Sequence, residues 1–156
     1  MSHPYHRDID VDAIVESVLA RVGLDSLPVR NPAAVLMALG WTLEPLVTLG
    51  PEEGRVVEAD RVAFVRLVGS RPSINRIIAH EVGHIVFLEF GYPLPHCECC
   101  VDAAGRAICL GRHGLSRRLR TDSPQTIIAS LAHLLTTAEV ARRIFEVRAV
   151  EGRRAG

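Results

Sequence analysis

The sequence predicts an α+β fold, with helices packed on a small antiparallel sheet and a helical C-terminal tail. Three observations predict it. Apolar residues recur at helical spacing near both ends of the chain, three short extended runs lie between residues 41 and 67, and a nearly all-apolar helical stretch follows them. With 156 residues, 48% hydrophobic and 23% charged, the chain has the length and apolar content for one ordinary globular unit with a sizeable core. That composition excludes disordered and fibrous classes.

Ile9, Val11, Ile14, Val15, Val18 and Val22 recur at helical spacing, with Asp12, Glu16 and Arg21 on the opposite face, so residues 9–22 are expected to form an amphipathic helix ended by Gly23. Asn31 and Pro32 have cap and first-turn chemistry for a second, short helix that runs to Leu39 before Gly40. After that glycine the pattern becomes extended: Trp41-Thr42-Leu43-Glu44, then Arg55-Val56-Val57-Glu58 and Val62-Ala63-Phe64-Val65-Arg66-Leu67. The last two, joined at Ala59-Asp60-Arg61, are predicted to form an antiparallel hairpin. Pro72 opens a helix that runs to about Phe90 and stops at Gly91, with Pro93 beyond.

Pro95-His96-Cys97-Glu98 opens a further helix carrying Val101, Ala104, Ala107 and Ile108, ended near Gly111. Ser123-Pro124 caps and starts a helix through Ile127, Ile128, Leu131 and Leu135. Thr136 and Glu139 have capping-box spacing for a last helix through Val140, Ile144 and Phe145. Two short helices joined by a tight turn resemble a helix-turn-helix. The chain therefore divides into a core, residues 1–115, and a helical, helix-turn-helix-like region, residues 116–156, packed on it.

Charge and targeting signals bound the setting. No apolar run approaches the ~20 residues that span a bilayer, and Met1-Ser2-His3-Pro4-Tyr5-His6-Arg7-Asp8 is polar and lacks a signal-peptide core. A cytoplasmic location is expected. The four cysteines, at 97, 99, 100 and 109, are too clustered for a disulfide framework and are read as thiols. Net charge is zero, yet residues 112–156 carry nine arginines against four acids. A solvated helix face explains that excess, and an acidic or nucleic-acid partner is the competing reading.

The chemistry concentrates in His80-Glu81-Val82-Gly83-His84. Residues i and i+4 share one helical face, so both imidazoles can reach one metal ion while Glu81 sits beside its open coordination position. Ile74, Ile77, Ile78, Ala79, Val82, Ile85, Val86, Phe87 and Leu88 make this helix apolar nearly all round, and buried imidazoles and carboxylates need a partner. Two core histidines bonded to backbone, with a surface glutamate between them, is the bland alternative. A catalytic zinc takes three protein ligands and keeps a position for water. Spacing alone permits Glu98 or Asp102 as the third, with His96 and Cys97 as competitors. Glu81 is the candidate general base, and Tyr92, His96, His113 and Arg112 are candidate donors to a developing oxyanion. His96-Cys97-Glu98-Cys99-Cys100 also invites reading as a metal or redox cluster; against it, adjacent helical residues point in different directions.

Ile78-Ala79-His80-Glu81-Val82-Gly83-His84 resembles the Leu-Ala-His-Glu-Leu-Gly-His signature of the ImmA/IrrE metallopeptidases, and the predicted element order is similar over most of the chain. Glu98-Cys99-Cys100-Val101-Asp102-Ala103-Ala104-Gly105 is similar to that family's Glu-x-x-Ala-Asn/Asp-x-Phe-Ala helix, with Val101 in place of the alanine, Ala104-Gly105 in place of Phe-Ala, and Gly111 where a proline would stand. The resemblance implies a zincin-like fold, a Zn2+ cofactor on His80, His84 and Glu98, and a cytoplasmic endopeptidase whose partner is a protein substrate, a helix-turn-helix repressor. Readings from other classes are a DNA- or protein-binding regulator with a structural zinc, supported by the basic C-terminal region, and a hydrolase of small amides.

Overall fold

A computed structural model describes residues 9–156, and the polar segment 1–8 lies outside the described residues. The elements run α1 (Val11–Ala20), α2 (Pro32–Ala38), β1 (Thr42–Pro45), β2 (Gly54–Val57), β3 (Val62–Val65), α3 (Arg71–Phe90), α4 (Glu98–Cys109), α5 (Arg112–Arg118), α6 (Pro124–Ser130) and α7 (Thr137–Ala155). The fold is α+β. No described helix is long and apolar enough to cross a membrane.

Side-chain caps explain most of the helix starts. Asp10 accepts from the Ala13 amide at 3.0 Å, and Asn31 accepts from the Ala33 amide at 2.9 Å with Pro32 in the first turn. Ser70, Ser123 and Thr136 cap α3, α6 and α7 through their hydroxyls. Gly91 ends α3 in the left-handed region, φ 106°, which only glycine adopts without strain, and the Tyr92 amide returns to the Phe87 carbonyl at 2.9 Å.

The sheet is mixed rather than antiparallel. Its order is β1-β3-β2: β2 and β3 form the expected antiparallel hairpin, while β1 runs parallel to β3 with Thr42 opposite Val62. The eight-residue segment 46–53 allows this, because it is long enough to carry β2 past the position beside β1. Buried residues of α1, α2, β3, α3 and α4 form the main core around Val18, Leu36, Val65, Val82, Ile85 and Ile108. A second cluster seats α5, α6 and α7 on Ala79, Cys109 and Leu110.

Several expectations are corrected. The helix after Gly91 begins at Glu98, not Pro95, with Cys97 as its N-cap. The helix α5 has no counterpart in the sequence reading, since Leu115 is its only buried apolar anchor. The helix α6 stops at Ser130, because residues 131–136 turn: Leu131, Leu134 and Leu135 are all buried by that turn, and buried Asn75 donates to the Leu134 carbonyl at 2.9 Å. The last helix has 19 residues, so α6 and α7 are not two short helices. Phe145, expected on its apolar face, is exposed.

Asp12 is not on a solvated face. It is buried and paired with Arg143 of α7, whose guanidinium donates to the Leu110 carbonyl at 3.0 Å and to Asp12 at 2.5 and 3.2 Å. Arg112 likewise faces Glu16 of α1 at 3.5 Å. Two of the nine C-terminal arginines are thus spent on acids of the first helix, which accounts for part of the uneven charge along the chain.

Candidate metal centre

Helices α3 and α4 pack antiparallel, and two glycines set how closely. A Cβ on Gly83 would lie 2.6 Å from the Val101 carbonyl oxygen, and one on Gly105 would lie 2.8 Å from the Ala79 carbonyl oxygen. Each glycine accepts the backbone of the opposite helix. The register of this contact brings the i, i+4 pair His80 and His84 on α3 against the i, i+4 pair Glu98 and Asp102 on α4.

The four side chains have distinct positions. His80 Nε2 lies 3.0 Å from Glu98 Oε2, and His84 Nε2 lies 3.9 Å from Glu98 Oε1. His80 presents its other nitrogen, Nδ1, to Asp102 Oδ1 at 2.7 Å. Spacing left Glu98 and Asp102 as equals; the structure puts Glu98 between the two Nε2 atoms and Asp102 behind His80. One donor atom from each of His80, His84 and Glu98 lies within 4.8 Å of the other two, so these residues form a group that can hold a metal ion.

The hydrogen-bond partners are consistent with one tautomer assignment, in which both Nε2 atoms keep their lone pairs. The Tyr92 carbonyl can only accept, so His96 Nε2–H donates to it at 2.9 Å, and a neutral His96 then presents a bare Nδ1. His84 Nδ1–H donates to that atom at 3.0 Å, which leaves His84 Nε2 with its lone pair directed at Glu98. His80 Nδ1–H donates to Asp102, and its Nε2 is directed the same way. A carboxylate or second acceptor behind a ligand histidine is the usual means of fixing ring orientation and raising ligand basicity. A tetrahedral zinc with N and O ligands at about 2.0–2.1 Å holds them about 3.3 Å apart, and the separations of 3.0 and 3.9 Å bracket that spacing. The donor set therefore fits such an ion.

Electrostatics agrees with this assignment. Burial pushes His84 down to about 4, helped by His80 and His96, so its imidazole is neutral. Burial opposes the charge on His80, but its hydrogen bond to Asp102 and the nearby carboxylates outweigh it and raise its pKa; the same bond lowers that of Asp102. Glu98 is 70% exposed, so the group opens to solvent on the α4 side.

Glu81 contradicts the bland alternative, since it is only 3% exposed. Burial raises its pKa to about 7, partly offset by His80. Its carboxylate lies against Gly54, the first residue of β2, where a Cβ would approach Glu81 Oε1 to 2.6 Å. That strand glycine was not singled out from sequence, although glycine at a strand end does mark a close approach by another group.

Of the candidate oxyanion donors, His96 is committed to His84 and to the Tyr92 carbonyl. The Tyr92 ring packs against Phe87 and stacks on Phe90, with centroids 6.0 and 5.6 Å away. His113 and Arg112 are not brought to the histidines; both face Glu16 of α1, at 3.7 and 3.5 Å. The Cys97 thiol is drawn into a group with Cys99 and Cys100. Comparison with protein-family models and with curated proteins finds no match for this chain.

Proposed function

We propose that this chain is a zinc-dependent endopeptidase of the ImmA/IrrE type, zincin-like in architecture, that cleaves a helix-turn-helix repressor in the cytoplasm. One observation carries the reading: two imidazole lone pairs and one solvent-facing carboxylate converge on a point beside a buried glutamate whose pKa is near neutral. His80, His84 and Glu98 would hold the ion. When bound, zinc polarises a scissile carbonyl and acidifies water, and three protein ligands leave the position that this chemistry needs.

The chain's own residues account for the rest. Glu81 takes the proton from the attacking water and passes it to the leaving amine, a task suited to a group that titrates near the working pH. Gly54, with no side chain, lets β2 lie close to that carboxylate. Asp102 and His96 hold the two imidazoles by the nitrogens that do not face the ion. The competing reading, a nucleic-acid-binding regulator with a structural zinc, loses support because Arg112 and Arg143 face acids of α1.

The test is cleavage of a purified helix-turn-helix repressor by the zinc-loaded protein, followed by intact-mass spectrometry. Wild type should produce two fragments, and Glu81→Gln should slow their appearance by about 10²-fold or more while keeping its zinc. Equal rates for the two proteins would remove Glu81 from the mechanism, and an intact repressor in both would remove the proposed substrate.

A further inference from the structure

Next to the histidine group lies a second donor set of different chemistry. One sulfur from each of Cys97, Cys99 and Cys100 lies within 4.8 Å of the other two, and the Cys97 and Cys99 sulfurs are 2.9 Å apart. On a regular helix Cys97 and Cys100 would share a face and Cys99 would point away from both. They converge here because Cys97 precedes the helix. It is the N-cap of α4, with extended backbone at φ −69° and ψ 119°. An N-cap side chain turns back over the first turn, toward the third helical residue, and Cys100 is that residue.

We propose that Cys97, Cys99 and Cys100 form a second site, a trithiolate that binds one soft, thiophilic metal ion beside the histidine site.

Sulfur ligands at about 2.3 Å from a common ion stand about 4 Å from one another, so Cys97 and Cys99, whose sulfurs are 2.9 Å apart, must move slightly apart to share one. Small rotations of the side chains bring all three to that spacing. Burial is graded across the set: Cys100 is buried in the core, Cys97 is half-buried and Cys99 is exposed. An ion enters from the solvent side at Cys99 and is anchored at Cys100. As three metal–sulfur bonds form, three thiol protons go to solvent and no electrons are transferred. The first-turn amides of α4 favour a thiolate at the N-cap Cys97, whereas burial opposes one at Cys99 and Cys100, so those two protons leave only as the metal–sulfur bonds form.

Ligand softness separates the two sites. Imidazole and carboxylate suit zinc, whereas an all-sulfur set selects softer ions. Glu98 is the hinge between them: it stands between Cys97 and Cys99 in sequence, yet its carboxylate faces His80 at 3.0 Å. An ion on the sulfurs would therefore fix the turn of α4 that carries Glu98.

The test is titration of the reduced, zinc-loaded full chain with cadmium under nitrogen, following the ultraviolet thiolate-to-cadmium charge-transfer absorption. That absorption reports sulfur ligation only, so cadmium on His80, His84 and Glu98 does not contribute. Wild type should saturate at one cadmium per chain. Cys97→Ser/Cys99→Ser/Cys100→Ser should lose the absorption and keep its zinc, with Cys109 as the internal control for an unrelated thiol. The exposed-site variant Cys99→Ser, least able to disturb folding, should weaken cadmium at least about tenfold. His80→Ala/His84→Ala should keep the absorption even though it loses the proposed catalytic ion, so failure of the protease reading and failure of this one give different results. No absorption in wild type, equal absorption in the triple variant, an unchanged affinity in Cys99→Ser, or its loss in the histidine variant would each overturn the second site.

Discussion

Two polar clusters are built into the helix contacts of this protein, and they are made on opposite plans. Around Arg143, three guanidinium N–H groups donate to the two oxygens of Asp12 and to the Leu110 carbonyl; the side chain is 2% exposed and its charge is cancelled by a buried partner. Around His80 and His84, acceptors outnumber donors: two Nε2 lone pairs and the Glu98 carboxylate face one another, with Asp102 behind them and solvent on one side. The first cluster is complete as it stands. The second gathers acceptor atoms at its centre and can hold a metal ion. The comparison separates a polar group that joins α1 to α7 from one whose donor atoms can hold an ion.

Removing a partner from the closed cluster should affect the fold and nothing else. Asp12→Ala leaves the Arg143 charge buried without its carboxylate and should cost about 3–5 kcal/mol of stability. Chemical denaturation measures this, and the folded fraction should still bind zinc as wild type does. A loss below about 1 kcal/mol would mean that the pair behaves as a surface ion pair.

Next in size is Gly83→Ala, which acts between the two clusters. Its methyl would meet the Val101 carbonyl at 2.6 Å, so α3 and α4 must separate. Overpacking of this kind costs about 1–3 kcal/mol, and here the same separation moves Glu98 from the histidines, so zinc affinity should fall together with the melting temperature. Lowered stability with unchanged zinc affinity would show that the helix spacing does not set the site.

The smallest expected effect on folding belongs to Asp102→Asn, which keeps the shape and removes the charge behind His80. Zinc affinity, read by competition with a chelator, should fall about 10–100-fold, with little change in the melting temperature of the metal-free protein. Complete loss of zinc would reassign Asp102 as a direct ligand in place of Glu98.

Sequence legibility followed the range of the signals. Caps and spacing are local, and Asn31, Ser123, Thr136 and the His80–His84 pair were all readable because each acts within one helical turn. Partners distant in sequence were not. Asp12 looked like a solvent-facing residue because Arg143, its partner, lies in the last helix. The parallel pairing of β1 with β3 depends on where a loop crosses, which no residue pattern near Thr42 encodes. Glu98 and Asp102 were indistinguishable by spacing, since both lie on the same face of α4, and only the register set by Gly83 and Gly105 separates them. The cysteines misled for the opposite reason: helical geometry was applied to Cys97, which stands outside the helix.

The central claim, that the α3–α4 cluster is arranged around a metal ion, is tested most directly by the metal content of protein purified without added zinc. Wild type should carry about one zinc per chain, and His80→Ala/His84→Ala should carry none while remaining folded, because a site with three ligands cannot lose two of them and hold its ion. Zinc at the wild-type level in a folded double variant would contradict the account.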